Sequence, residues 1–183
     1  MTILGVLADT HIPDRARRLN THVIPLFRRA GVAAILHAGD VSIPRTLDLL
    51  REVAPVYAVR GNRDWFALGY LPLQLELTFD GIVIGLTHGH GRWWNYFADK
   101  VDYIFKGYQL ERYQPRLLEA FPQAQVIIFG HTHRPINQWV AGKLVFNPGS
   151  AHIRGEKEIA PSVGLLHIPA GEQVRGEILL LDD

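Results

Sequence analysis

Seven aspartate, asparagine and histidine side chains stand where a folded chain could gather them round metal ions: Asp9, His11, Asp40, Asn62, His88, His131 and His133. Each follows a short apolar run. ILGVLA leads into Asp9-Thr10-His11, AILHA into Gly39-Asp40, and YAVR into Gly61-Asn62-Arg63-Asp64. VIGLT leads into His88-Gly89-His90, and VIIF into Gly130-His131-Thr132-His133. Short apolar runs read as buried strands, and open α/β sheets bind ligands at the carboxyl ends of their strands. One Asp or His after a strand carries little information, but five such ends in one chain form a set. Its donors are oxygen and imidazole, which suit Mn, Fe, Zn, Ni or Co rather than soft Cu(I). Seven ligands exceed the needs of one transition ion and suit two ions that share a carboxylate. Two ions about 3.5–4 Å apart stabilise the attacking and leaving oxygens of an in-line displacement at phosphorus and make hydroxide available at neutral pH. Gly39, Gly61, Gly89 and Gly130 beside the ligands permit sharp turns and close approach.

The elements that must position these residues alternate along the first third of the chain. Residues 3–8, 33–36 and 56–59 read as buried strands, and residues 21–30 and 44–53 as helices between them. Gly31 stops the first helix and Pro44 sits in the first turn of the second. Such alternation predicts a parallel strand core covered on both faces. The pattern then changes. Residues 73–79 alternate apolar and polar, Asp80-Gly81 signals a turn, and 82–86 completes a hairpin. Residues 97–121 read as one or two helices broken near Pro115, and 126–129 as a strand. Short strands with glycine turns follow at 136–140, 144–146, 163–168 and 176–181. An antiparallel β half is thus expected after an α/β half, with two sheets packed face to face and helices outside.

The order D-x-H, G-D, G-N-x-D, H-G-H, G-H-T-H resembles the calcineurin-like metallophosphoesterase superfamily. Asn147-Pro148-Gly149-Ser150 is similar to the N-P-G-S signature of its small single-domain branch, the YfcE-like phosphodiesterases. The resemblance runs from Asp9 to Ser150. It implies a four-layer α/β/β/α sandwich of two mixed β-sheets flanked by helices, with the whole chain, 1–183, as one domain. It implies that Asp9, His11, Asp40 and His133 hold one metal ion, and that Asp40, Asn62, His88 and His131 hold the second, Asp40 bridging. The activity it implies is phosphoester hydrolysis, of phosphodiesters above all, by attack of metal-bound hydroxide, with Mn the first choice of metal.

Asn62, Arg63, Asp64 and His90 are the further candidates for the reaction. Larger relatives of the phosphoprotein phosphatase type carry a proton-donating His where this chain has Arg63. Arginine does not release its proton at neutral pH, so Arg63 either stabilises charge on phosphoryl oxygens or points away and pairs with a carboxylate. Asp64 reads as an orienting group rather than an acid. His90 reads as a hydrogen-bonded neighbour of the ligands, or as a phosphate contact or proton donor. His37 reads as a satisfied core histidine, and His22, His152 and His167 as structural or exposed. Arg15, Arg17 and Arg18 read as a solvated helix start before a phosphate site. Trp93, Trp94, Tyr96 and Phe97 read as packing before a base-stacking wall. Asn147 to Ser150 reads as a tight turn with the option of supporting the site.

Composition limits the remaining classes. The 183 residues suit one ordinary domain, and 48% apolar with 20% charged residues is a globular balance. Nineteen Lys and Arg against 18 Asp and Glu leave a net charge of +1, so charge alone does not indicate nucleic acid as a partner. The absence of cysteine removes disulfides, zinc–thiolate sites and thiol nucleophiles. No run approaches a membrane span, and the N-terminus lacks the basic start of a signal peptide, so a cytoplasmic protein with a small phosphoester substrate and no membrane partner is expected. The β-rich tail could offer a sheet edge to a homodimer. Two other functions compete: a non-catalytic interaction scaffold of the same fold, like the retromer subunit whose metal site is degraded, and a nuclease or nucleotide hydrolase using the same site. The intact ligand set argues against a pure scaffold.

Overall fold

A computed structural model describes residues 1–90, 110–152 and 159–181. In chain order the elements are β1 (Thr2–Leu7), α1 (Val23–Ala30), β2 (Ala34–His37), α2 (Pro44–Arg51), β3 (Val56–Ala58), β4 (Gln74–Phe79) and β5 (Ile82–Thr87). A 3-10 turn (Leu110–Arg112), α3 (Gln114–Ala120), β6 (Val126–Ile128), β7 (Pro135–Val140), β8 (Lys143–Pro148), β9 (Ser162–Ile168) and β10 (Arg175–Leu180) follow.

The strands form two five-stranded sheets, β10-β9-β1-β2-β3 and β4-β5-β6-β8-β7. Each is mixed. β1, β2 and β3 run parallel while β9 and β10 run antiparallel beside β1. β5, β6 and β8 run parallel, with β4 and β7 antiparallel at the two edges. The expected α/β half followed by an antiparallel β half is corrected here. The tail divides between the sheets, because β9 and β10 return to cover the open edge of β1 while β7 and β8 extend the second sheet. Strand composition cannot distinguish the two outcomes, since either leaves one face of each strand buried.

Side-chain alternation explains the four layers. Leu4 and Val6 of β1, Leu36 of β2, Val126 and Ile128 of β6 and Phe146 of β8 share one buried cluster between the sheets. The intervening residues face outward. Leu7 and Ile35 pack under α1 with Val23 and Phe27, and Ile127 and Val145 pack under α3 with Leu117 and Phe121. Each of these helices lays a phenylalanine on a strand glycine: Phe27 on Gly5 and Phe121 on Gly85. α1 ends where Gly31 turns left-handed, φ 62°, and its N–H reaches the Arg28 carbonyl at 3.1 Å. Pro115 lies in the first turn of α3, where a missing N–H has no cost, so the expected break is the start of that helix. Residues 97–109 of the expected helical stretch, and with them Trp93, Trp94, Tyr96 and Phe97, lie outside the described residues. Among the described residues no helix is long and apolar enough to cross a membrane.

A Cβ on Gly85 would overlap the Phe121 ring. Gly85→Ala is therefore expected to lower the unfolding free energy by about 1–3 kcal/mol, read from the denaturant midpoint. An unchanged midpoint would show that α3 can shift away from its sheet.

Candidate metal centre

The site forms where β1, β2, β5 and β6 and the loop after β3 end. Cross-strand hydrogen bonds draw these ends together: Asp9 N–H donates to the Gly39 carbonyl at 3.0 Å, His11 N–H to the Asp40 carbonyl at 3.1 Å, and Gly130 N–H to the His88 carbonyl at 3.2 Å. Asp9, His11, Asp40, His131 and His133 all adopt positive φ, at 53°, 49°, 54°, 70° and 55°. This left-handed conformation costs a non-glycine residue of order 1 kcal/mol. It turns the chain sharply at each strand end.

Two groups of donors result. His11 Nε2 lies 3.0 Å from His133 Nε2, and Asp9 Oδ1 lies 3.7 Å and 3.3 Å from those same nitrogens. On the other side, Asn62 Oδ1 lies 3.1 Å from both His88 Nε2 and His131 Nδ1. Asp40 stands between them, with Oδ2 3.9 Å from His11 Nε2 and Oδ1 3.5 Å from His88 Nε2. All seven predicted ligands are thus brought together, and the two Asp40 oxygens face opposite groups. Donors bound at about 2.0–2.2 Å to a tetrahedral ion stand roughly 3.3–3.6 Å from one another, close to these separations. Asp9 with His11 and His133, and Asp9 with Asp40 and His88, form clusters whose ligand atoms all lie within 4.8 Å of each other. Among the described residues Asp9 Oδ1 is buried with no hydrogen-bond partner. A buried carboxylate oxygen without a proton donor is costly, and a cation between Asp9, His11 and His133 would satisfy it. The residues therefore fit two divalent ions.

Electrostatics prepares the donors. Burial alone would raise the Asp9 and Asp40 carboxyls, but the neighbouring histidines outweigh it and hold both below the usual carboxylate range. Burial holds His11 near 4 and His131 near 3, so both are neutral at pH 7 with lone pairs free to ligate. His88 and His133 differ. Burial lowers each, but Asp40 raises His88 to about 9 and Asp9 raises His133. His88 Nδ1 donates to the Ala38 carbonyl at 2.8 Å, which commits that nitrogen to a proton and leaves Nε2 facing Asp40 and Asn62.

The remaining candidates support rather than enlarge this set. Asp64 accepts backbone N–H bonds from Asp40 at 2.9 Å, Gly61 at 2.8 Å and Ser42 at 2.7 Å, and so clamps the Asp40 loop onto the Asn62 loop. Burial keeps its carboxyl above the ordinary value despite these bonds. Arg63 donates its N–H to Asp40 Oδ1 at 2.8 Å, while its guanidinium turns outward to pair with Asp14. Of the two readings of Arg63, the ion pair is the one seen. The His90 ring lies 5.3 Å from that of His88, its Nδ1 has no partner among the described residues, and burial with His88 holds it near 4. His37 is a satisfied core group. Gly39 N–H donates to its Nδ1 at 3.2 Å, so its Nε2–H is left to donate to Thr10 Oγ1 at 3.3 Å.

Asn147 to Ser150 is more than a turn. Asn147 Nδ2 donates to the Gly130 carbonyl at 2.9 Å and to Thr132 Oγ1 at 3.0 Å, and Ser150 Oγ donates to the Asp9 carbonyl at 2.8 Å. The signature thereby ties two ligand loops together. Arg15 is exposed at the rim, His22 is exposed, and His167 pairs with Glu177 at 2.9 Å on the outer strands. His152, passed over as structural or exposed, is buried beside His11 and His133. Its position two residues beyond the N-P-G-S signature was the only signal the sequence offered.

Two measurements test this geometry. His88 has its folded value raised above the ordinary 6.5, so its ion pair stabilises the metal-free protein below that pH and is lost as pH rises through about 9. Metal must displace that proton together with whatever proton His133 carries, so Mn²⁺ binding at pH 7.5 is expected to release at least one proton, falling towards zero above pH 9; calorimetry in buffers of different ionisation enthalpy reads it. The left-handed backbone gives a second expectation. His133→Gly should be about 1 kcal/mol more stable than His133→Ala, measured by chemical denaturation of the metal-free proteins.

Comparison with known proteins identifies the family. Residues 1–171 match the model of the calcineurin-like phosphoesterase superfamily domain. A probable metallophosphoesterase of Methanothermobacter thermautotrophicus is 34% identical over 177 residues, which cover 97% of this chain and 91% of that protein. Wild-type Vps29 of Entamoeba histolytica, solved in complex with zinc, superposes with TM-score 0.69 at 24% identity over 99% of this chain and 100% of that one. A novel archaeal phosphodiesterase superposes with TM-score 0.65 at 22% identity, covering 97% of this chain and 100% of the other. At these identities the two structures establish a shared fold, whereas the match across residues 1–171 and the 34% identical relative place the chain in the calcineurin-like phosphoesterase superfamily.

Proposed function

We propose that the chain is a dinuclear-metal phosphoesterase that acts as one domain on phosphodiesters of small molecules, with Mn²⁺ the favoured ion. The observation that carries this reading is Asp40: buried, held by the Asp64 loop, with one oxygen toward His11 and the other toward His88. Asp9, His11, Asp40 and His133 would hold the first ion, and Asp40, Asn62, His88 and His131 the second. Two divalent ions there would activate water and neutralise charge gathering on phosphorus.

The chain's own residues do the rest. Neutral His11 and His131 would ligate without releasing a proton, and Asp40 would supply negative charge to both metal positions. Asn62 is oriented by His88 and His131 and presents its carboxamide at the centre of the site. His90, neutral and with no partner at Nδ1 among the described residues, would contact a phosphoryl oxygen. Arg63 contributes its backbone N–H to Asp40, and its guanidinium reaches substrate only by leaving Asp14.

A protein-binding role is the second reading. Trp65, Phe66, Tyr70 and Leu73 are exposed, Phe66 completely, and such an apolar surface marks interaction sites. The complete ligand set favours catalysis over a scaffold.

Metal-stripped protein reloaded with Mn²⁺ is expected to hydrolyse bis-p-nitrophenyl phosphate. Asp40→Asn keeps the shape but removes the shared charge, and should lower kcat/KM by about a hundredfold or more, the upper range for loss of a mere outer-shell partner. Turnover of p-nitrophenyl phosphate without the diester would overturn the diesterase reading, and cleavage of a short oligonucleotide would point to a nuclease. Failure to bind metal would leave the scaffold.

A further inference from the structure

His152 takes no part in either donor group or in the chemistry proposed above. Its loop is anchored to the end of β1. Ser150 Oγ donates to the Asp9 carbonyl at 2.8 Å, Ala151 N–H to the Ala8 carbonyl at 3.1 Å, and His152 N–H to Ser150 Oγ at 3.4 Å. This anchoring carries the imidazole to 5.8 Å from the His11 ring and 6.2 Å from the His133 ring, edge-on to both. The side chain is 4% exposed, and Nδ1 has no hydrogen-bond partner among the described residues. Burying an imidazole nitrogen without a partner is unfavourable. Such a group beside a candidate metal centre calls for a ligand.

The spacing indicates what kind. Ring centroids of the predicted ligand pairs lie 5.0 Å apart for His11 and His133 and 5.1 Å apart for His88 and His131. His152 lies further out, and it is absent from the Asp9–His11–His133 cluster of mutually close ligand atoms. It therefore borders the candidate donor cluster without belonging to it. A group that satisfied this imidazole beside a cation-binding cluster would accept a hydrogen bond and carry negative charge, which describes an anionic oxygen.

We propose that His152 is a substrate-binding residue whose imidazole hydrogen-bonds a phosphoryl oxygen of a phosphoester seated against the Asp9–His11–His133 metal position. The proposal rests on the phosphoesterase reading above.

The test is calorimetric titration of inorganic phosphate into the Mn²⁺-loaded full chain, for wild type, His152→Ala and His152→Gln, with bound metal counted for each. His152→Ala is expected to keep both ions and lose roughly tenfold to a hundredfold in phosphate affinity, the worth of one hydrogen bond to an anion. His152→Gln, which retains a donor of similar reach and serves if the alanine variant does not fold, should recover part of it. Equal phosphate affinity in wild type and both variants would overturn the proposal, as would loss of a metal ion, which would make His152 a ligand. Absence of turnover in the wild type on bis-p-nitrophenyl phosphate would sink the phosphodiesterase reading instead, while the phosphate titration still decides the role of His152.

Discussion

Two carboxylates, Asp9 and Asp40, are withdrawn almost entirely from water at the meeting of five strand ends and loops. Burying a charge without compensation is among the most expensive acts a fold can perform. The surrounding architecture answers that cost. Histidines from three segments converge on the two oxyanions, and backbone N–H groups of Arg63 and His131 donate to them. The same arrangement that makes the carboxylates tolerable in the metal-free protein makes them strong ligands, because charge held below the ordinary carboxylate range is charge available to a cation.

Holding those groups in place requires an outer layer with no role in ligation. Asp64 gathers three backbone amides from two loops, and Asn147 and Ser150 fasten the loops after β1 and β6. Glycines complete it by absence. A Cβ on Gly61 would collide with the Asp40 carboxylate and backbone, and one on Gly39, whose φ is +88°, would meet the His88 ring and Gly61. The left-handed conformation of five of the candidate ligands shows the other side of this design. Local backbone energy is spent to turn side chains inward at strand ends, and the packed sheets beneath hold them there.

Much of this was legible in the amino-acid order. Strand runs such as Val126 to Phe129 are short and wholly apolar, so period and length identify them, and the ligand that follows each is named by its type. The helix stop at Gly31 and the hairpin at Asp80-Gly81 rest on local backbone preference and are equally visible. The destination of β9 and β10 was not, since pairing with β1 instead of β8 depends on which sheet edge is open. Neither was the outward turn of Arg63, set by Asp14 forty-nine positions away, nor the burial of His152, whose surroundings come from β1 and from the loop after β6.

The sequence by itself determined which atoms could ligate and that each would stand at a strand end, because residue chemistry and the alternation of apolar runs are local properties. Only the tertiary structure decided which oxygen of Asp40 faces which histidine, which nitrogen of His88 carries the proton, and which histidines are neutral. Those outcomes follow from distance, burial and the sum of neighbouring charges. All three arise from groups far apart in the chain and take their values only when both sheets are in place.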